Sequence, residues 1–175
     1  MNMLKIVGAE ILALAAIALL ASCATPPAIK TKKDVDLKSY MGKWHEIARF
    51  ENSFQKGVRD SSAVYAMRDD GQIDVFNSGY DKDGNLRSAK GVAYVPDPAE
   101  NSKIRVSFFY PFYADYYILE LAPDYSWALV GSSSPDYLWI LSRTKTLPES
   151  ALNEILALAK SRNYDVSKLK YNGRP

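Results

Sequence analysis

Gly42-Lys43-Trp44-His45-Glu46-Ile47-Ala48-Arg49-Phe50 is the stretch from which the fold of this chain is read. Gly42 reaches backbone conformations that a side chain forbids, so it suits a bend leading into a strand. From Trp44 the residues run through an aromatic, a β-branched and a second aromatic side chain, a strand-like composition. An indole at the start of a first strand needs a deep pocket, and a closed sheet provides one at its plugged end. Far along the chain, Leu138-Trp139-Ile140-Leu141-Ser142-Arg143 reads as a strand that ends on a cation. A guanidinium stacked on an indole contributes about 0.5–2 kcal/mol, the upper end when desolvated. Arg143 is therefore expected to cover Trp44 and to tie the last strand to the first.

Between these stretches, strands alternate with turn signals at short intervals, the pattern of a sandwich or barrel. Ser61 to Arg68 reads as a strand, Asp69-Asp70-Gly71 as a tight turn and Gln72 to Tyr80 as its partner. Asp81 to Asn85 turns again before Leu86 to Val95, and Pro96-Asp97-Pro98 breaks that strand. Lys103 to Tyr110, Tyr113 to Ala122, Trp127 to Gly131 and Asp136 to Arg143 complete eight strands counting the first. Eight is the number that closes into an antiparallel barrel with room for one small ligand. The short links need no crossover helices, so the expected fold is all-β, an eight-stranded antiparallel up-and-down barrel.

One helix follows. Thr146-Leu147-Pro148-Glu149 matches a capping box, with Pro tolerated in the first turn. Leu152, Ile155, Leu156 and Ala159 form an apolar stripe at helical spacing that should lie against the outside of the barrel. Tyr164 to Lys170 can add a short strand beside it.

Strand alternation sorts the wall into two faces. Ala63, Tyr65 and Met67 oppose Ser62, Val64, Ala66 and Arg68. Ile73, Val75 and Asn77 oppose Asp74, Phe76 and Ser78. Ile104, Val106 and Phe108 oppose Lys103, Arg105 and Ser107, and polarity turns the first set inward.

The G-x-W start resembles the lipocalin family once its neighbours are added: Asp69-Asp70-Gly71, Val106-Ser107-Phe108-Phe109 and Tyr137-Leu138-Trp139-Ile140-Leu141-Ser142-Arg143-Thr144. The resemblance runs from about Val35 to Lys170 and points to the bacterial outer-membrane lipoprotein branch, the one related to apolipoprotein D. Two positions depart from the family pattern: His45 stands where an aromatic is usual, and Pro123-Asp124-Tyr125-Ser126-Trp127 is an imperfect middle motif. The resemblance implies that Tyr137, Trp139 and Leu141 face inward, and that Gly42, Trp44 and Arg143 are structural. For Tyr116 to Leu121 the two sources conflict. Polarity turns Tyr117, Leu119 and Leu121 inward because Glu120 should face water, whereas an ungapped match to relatives selects Tyr116 and Ile118. Polarity is followed here.

The expected lining is then Tyr65, Val75, Asn77, Val106, Phe108, Tyr113 near the mouth, Tyr117, Tyr137 and Trp139. Such a lining suits an acyl chain with a modest polar head. Burying about sixteen methylenes offers roughly 13 kcal/mol gross, and ordering the chain leaves an affinity near micromolar. By resemblance the ligand is a fatty acid, a lysophospholipid or a similar amphiphile that the protein stores or transports. The competing readings are a lipid isomerase or esterase on the same barrel, and an envelope protein whose barrel is filled by its own aromatics. The 12 Tyr and 6 Phe supply volume enough for the latter.

Residues 1–22 read as a secretory signal: Lys5, then the apolar run from Ile11 to Ala21, too short to span a bilayer. Glu10 is an unusual charge in such a segment. Leu20-Ala21-Ser22-Cys23 resembles the lipobox of bacterial lipoproteins, in which the cysteine is acylated. Several acyl chains at about 0.8 kcal/mol per buried CH₂ anchor a protein firmly to a membrane. Ala24 follows rather than the Asp associated with inner-membrane retention, so the resemblance implies the outer membrane. Residues 23–34 form a tether with Pro26-Pro27 and several lysines, and residues 35–175 form the domain.

Composition excludes several classes. A net charge of +2 gives no footprint for nucleic acid. Cys23 is the only cysteine and His45 the only histidine, so neither a disulfide, a Cys/His metal cluster nor a Cys-His pair can be built. No G-x-S-x-G elbow accompanies His45, which alternates with Trp44 and should face outward. Glu46 shares the parity of Trp44, and a buried carboxylate there would need a partner, for which Arg143 is the candidate. No cofactor and no enzymatic activity are expected; a homodimer is compatible with the sequence.

Overall fold

The computed structural model describes residues 29–172. The signal segment 1–22, Cys23, residues 24–28 of the tether and residues 173–175 lie outside the described residues.

A four-residue helix, α1 (Leu37–Tyr40), leads into nine strands: β1 (Gly42–Phe50), β2 (Arg59–Met67), β3 (Ile73–Tyr80), β4 (Leu86–Tyr94), β5 (Lys103–Phe109), β6 (Phe112–Leu121), β7 (Trp127–Gly131), β8 (Leu138–Ser142) and, after helix α2 (Glu149–Ser161), β9 (Leu169–Tyr171). Sequential strands pair antiparallel from β2 through β8, β8 pairs with β1, and β1 returns to β2, so the first eight close a barrel of up-and-down topology. The expected barrel with one outer C-terminal helix is the observed one. β9 adds to the outer end of β1.

Closure is uneven. β1 pairs with β2 only over Gly42–His45, and its second half, Ala48–Phe50, takes β9 instead. A bulge between Glu46 and Ala48 accompanies this change of partner. An extra residue in a strand turns the side chains beyond it to the other face. Trp44, Glu46 and Arg49 thereby reach the inside, although alternation would put Arg49 outside, while Ile47, Ala48 and Phe50 pack under the helix.

Two apolar clusters result. The inner one gathers Trp44, Tyr65, Val75, Ile104, Ile118, Val130 and Leu141 from around the wall. The outer one joins Leu152, Ile155 and Ala159 of α2 to Ala48, Leu129 and Ile140. The expected capping box is not formed: Pro148 is the N-cap residue and α2 has no side-chain cap. Pro has no side-chain acceptor, so the first amides of α2 stay uncapped by a side chain.

The end of the tether is extended but not free. Ile29 packs on the outer cluster, the Lys32 amide donates to the Ile118 carbonyl, and Ser102 Oγ donates to Thr31 Oγ1 at 2.9 Å.

Candidate functional site: the barrel interior and its two ends

The floor is built around Trp44, which is fully buried. Its indole N–H donates to the Tyr40 carbonyl at 2.8 Å, and the Arg143 guanidinium carbon stands 3.8 Å from the ring centroid. The same guanidinium donates to the carbonyls of Lys43 at 3.0 Å, Ser39 at 2.7 Å, Tyr40 at 3.2 Å and Tyr125 at 3.3 Å. Gly42 makes room for this: its φ is +92°, a left-handed conformation that disfavours side chains, and a Cβ there would stand 3.4 Å from Arg143 Nη1. The cation that sequence pairs with the indole is thus also the staple between α1, β1 and the β6–β7 turn.

Above the floor lies a chain of three phenols. Tyr40 and Tyr116 share a hydrogen bond at 2.6 Å, and Tyr65 Oη donates to Tyr116 Oη at 3.1 Å. Burial raises the pKa of all three, that of Tyr65 to about 12, so they are neutral donors and acceptors at any working pH. Tyr116→Phe removes the central hydroxyl and leaves two phenols short of a partner. The expected cost is about 1–3 kcal/mol, read from urea unfolding, with the barrel retained by far-UV circular dichroism.

Tyr116, not Tyr117, therefore faces inward, a correction to the polarity reading. A second bulge, between Ile118 and Glu120, is the cause. Ile118 and Leu121 both lie in the inner cluster, while Tyr117 and Leu119 lie in the outer one beneath α2. Glu120 does not need open water either, because Arg162 after α2 pairs with it. Tyr113 is likewise displaced to the outer face. It meets the Tyr94 ring edge-on at 5.3 Å, beside the exterior Arg105–Asp115 pair, and a bulge between Val106 and Phe109 separates its register from the rest of β5.

The other expected lining residues occupy the interior or its rim. Tyr65, Val75, Val106, Phe108 and Trp139 belong to the inner cluster. Asn77 sits opposite Ala63 on the same face, and its Oδ1 is buried without a partner. Tyr137 stacks between Phe54 at 6.2 Å and Trp139 at 5.9 Å.

The upper end carries a polar node that sequence reading did not resolve. Glu46 and Arg49, about 93 % and 95 % buried, form an ion pair inside the wall. Arg49, not Arg143, is the partner of Glu46. Gln55, from the β1–β2 loop, donates to Glu46 Oε2 at 2.9 Å and accepts from the Trp139 indole at 2.9 Å. Arg49 donates to the carbonyls of Gln55 at 2.7 Å and Val58 at 2.9 Å, holding that loop down. Arg49 Nε itself is buried and unpaired. Burial pushes the Glu46 carboxyl above its ordinary range, against the pull of the Arg49 cation. Only the signal i, i+3 was available in sequence, and a strand of regular alternation would have put those two side chains on opposite faces.

A closed up-and-down barrel with an indole–guanidinium floor and one flanking helix is the lipocalin architecture. The lipocalin-like domain family matches residues 35–173, and the chain belongs to the lipocalin family. It is 39% identical over 177 residues to the outer membrane lipoprotein Blc of Escherichia coli K12, covering 100% of this chain and 99% of that one. Mouse apolipoprotein D is 33% identical over 160 residues, covering 86% and 81%. Among solved structures, insecticyanin from the tobacco hornworm aligns with a TM-score of 0.69 at 25% identity, covering 85% of this chain and 86% of that one.

Proposed function

We propose that this protein is an outer-membrane lipoprotein that binds fatty acids, lysophospholipids or similar amphiphiles inside its barrel and stores or carries them unaltered. The observation that carries the reading is the half-buried state of Val106, Phe108, Tyr116 and Trp139. These side chains face inward in a closed barrel, so the surface they keep borders an internal space. That space is apolar along its walls, a match for an acyl chain. Gln55 ties the 51–58 loop to the adjacent strands β1 and β8 at the upper end. Acylation of Cys23 and retention at the outer membrane rest on the lipobox resemblance and on the name of the Escherichia coli relative. A lipid-modifying enzyme fares less well, because His45 faces an outer groove and not the lumen.

Trp139→Ala removes the largest lumen-lining ring and one anchor of Gln55. Palmitate affinity is expected to fall about tenfold or more, while the barrel stays folded. Quenching of the remaining tryptophans on titration reads the affinity, and native mass spectrometry reads co-purified lipid and its chemical identity. Wild-type affinity in Trp139→Ala would remove the lumen assignment; a chemically altered lipid would favour the enzyme.

A further inference from the structure

The barrel wall carries a second concave site, outside the lumen. Where β1 leaves β2, a groove of about 360 Å³ opens between the β1–β3 face, the 145–147 segment and β9. His45, Ser62 and Ser78 form one cross-strand row on its floor, since His45 pairs with Ser62 and Ser62 with Ser78. The hydroxyls of Ser62 and Ser78 are 3.2 Å apart, so one hydrogen is used between them and the other is free to donate. Lys43 and Lys145 stand at the rim. Ser61, about 93 % buried, precedes Ser62 and so turns to the inner side with Ala63 and Tyr65, away from this row.

Two carboxylates border the groove. Glu46 is already engaged by Arg49, Gln55 and Asn172, so it presents no free charge. Asp60 is exposed at the edge and opposes the lysines in part. Leu147 and Leu152, at the start of α2, close one side, and that helix end is the one without a side-chain cap. A helix N-terminus adds positive potential to its surroundings, which Glu149 in the first turn of α2 offsets in part. Burial first, and then the charges of Lys43 and Lys145, hold His45 below its ordinary value of 6.5.

We propose that this groove binds a phosphate group, held by Lys43, Lys145 and His45 and by the hydroxyls of Ser62 and Ser78. Donors arriving from three strands and a loop suit a tetrahedral oxyanion better than a planar carboxylate. The phosphate can be that of a phospholipid headgroup or free in solution, and Tyr80 and Leu86, apolar and exposed at the groove's edge, are compatible with the former. His45, Ser62 and Ser78 face away from the lumen.

His45 is the only histidine, so its imidazole C2–H signal reports on this groove alone. Inorganic phosphate, added against sodium chloride of equal ionic strength, is expected to raise the His45 pKa saturably, because a bound dianion favours the imidazolium. Lys43→Glu with Lys145→Glu, both at exposed positions, is expected to weaken that response about tenfold or more without unfolding the barrel. Ser62→Ala with Ser78→Ala is expected to weaken it with the surface charge unchanged. A response to phosphatidylglycerol vesicles and none to inorganic phosphate assigns the group to a lipid headgroup; a response to inorganic phosphate assigns it to the free ion as well. No response to either, or an equal response in the double-lysine variant, overturns the proposal.

Discussion

Trp44→Ala is expected to cost about 3–5 kcal/mol and to lower the melting temperature by roughly 10–20 °C. The indole is fully buried, and nothing beside it can collapse into the space. Arg143 above it is held by four backbone carbonyls, and Tyr40 beside it is tied to Tyr116. A rigid surround keeps the cavity open, which is the condition for the upper end of the range. Removing the indole also takes one of two donors from the Tyr40 carbonyl, leaving it Arg143. Arg143→Ala should cost less, about 2–3 kcal/mol, because two of its four carbonyl partners, those of Lys43 and Ser39, lie at the exposed surface. The double variant should cost less than the sum, since both singles break the same stack. Urea unfolding of the three variants measures this; a loss below about 1 kcal/mol for Trp44→Ala would mean that the floor is not where the barrel's stability is concentrated.

Glu46→Ala is the second large effect. It leaves the Arg49 guanidinium, about 95 % buried, without its counter-charge. Breaking a buried pair by removing one partner costs about 3–5 kcal/mol, whereas replacing both partners with apolar side chains is often close to neutral. Glu46→Leu with Arg49→Leu is therefore expected to recover most of the stability lost in Glu46→Ala. The loop should behave differently. Gln55 loses Glu46 in the single variant, and Gln55 and Val58 lose Arg49 in the double. Hydrogen exchange across residues 51–58 should thus rise in both, even as global stability returns in one. If exchange there stayed at the wild-type rate in the double variant, the ion pair would not be what holds the loop against β1.

The contrast between these two sites measures how far sequence reading reached. Trp44 and Arg143 carry their roles in their residue types: an indole needs a deep pocket, a strand-terminal arginine needs a partner, and a closed sheet brings the two ends together. Glu46 and Arg49 do not. Their meeting requires the bulge between Glu46 and Ala48, and a bulge has no composition of its own in this stretch. The same holds for Tyr116 and Tyr117. Polarity read Glu120 as a solvent residue and counted backwards, but the bulge beyond Ile118 reset the count and Arg162 supplied the charge partner.

What residue order alone determined is the barrel, its strand number, its sealed floor, its outer helix and the apolar character of most of the wall. These depend on local alternation, turn residues and one long-range pair of unmistakable chemistry. Tertiary structure alone decided which tyrosine enters the lumen, which cation answers Glu46, that Gln55 bridges Glu46 and Trp139, and that a groove of hydroxyls and lysines opens where β1 exchanges β2 for β9. The reason is physical: a period of two propagates from any anchor, but a single inserted residue inverts every side chain beyond it. Where that insertion falls is set by how neighbouring strands compete for hydrogen bonds, which no single strand encodes.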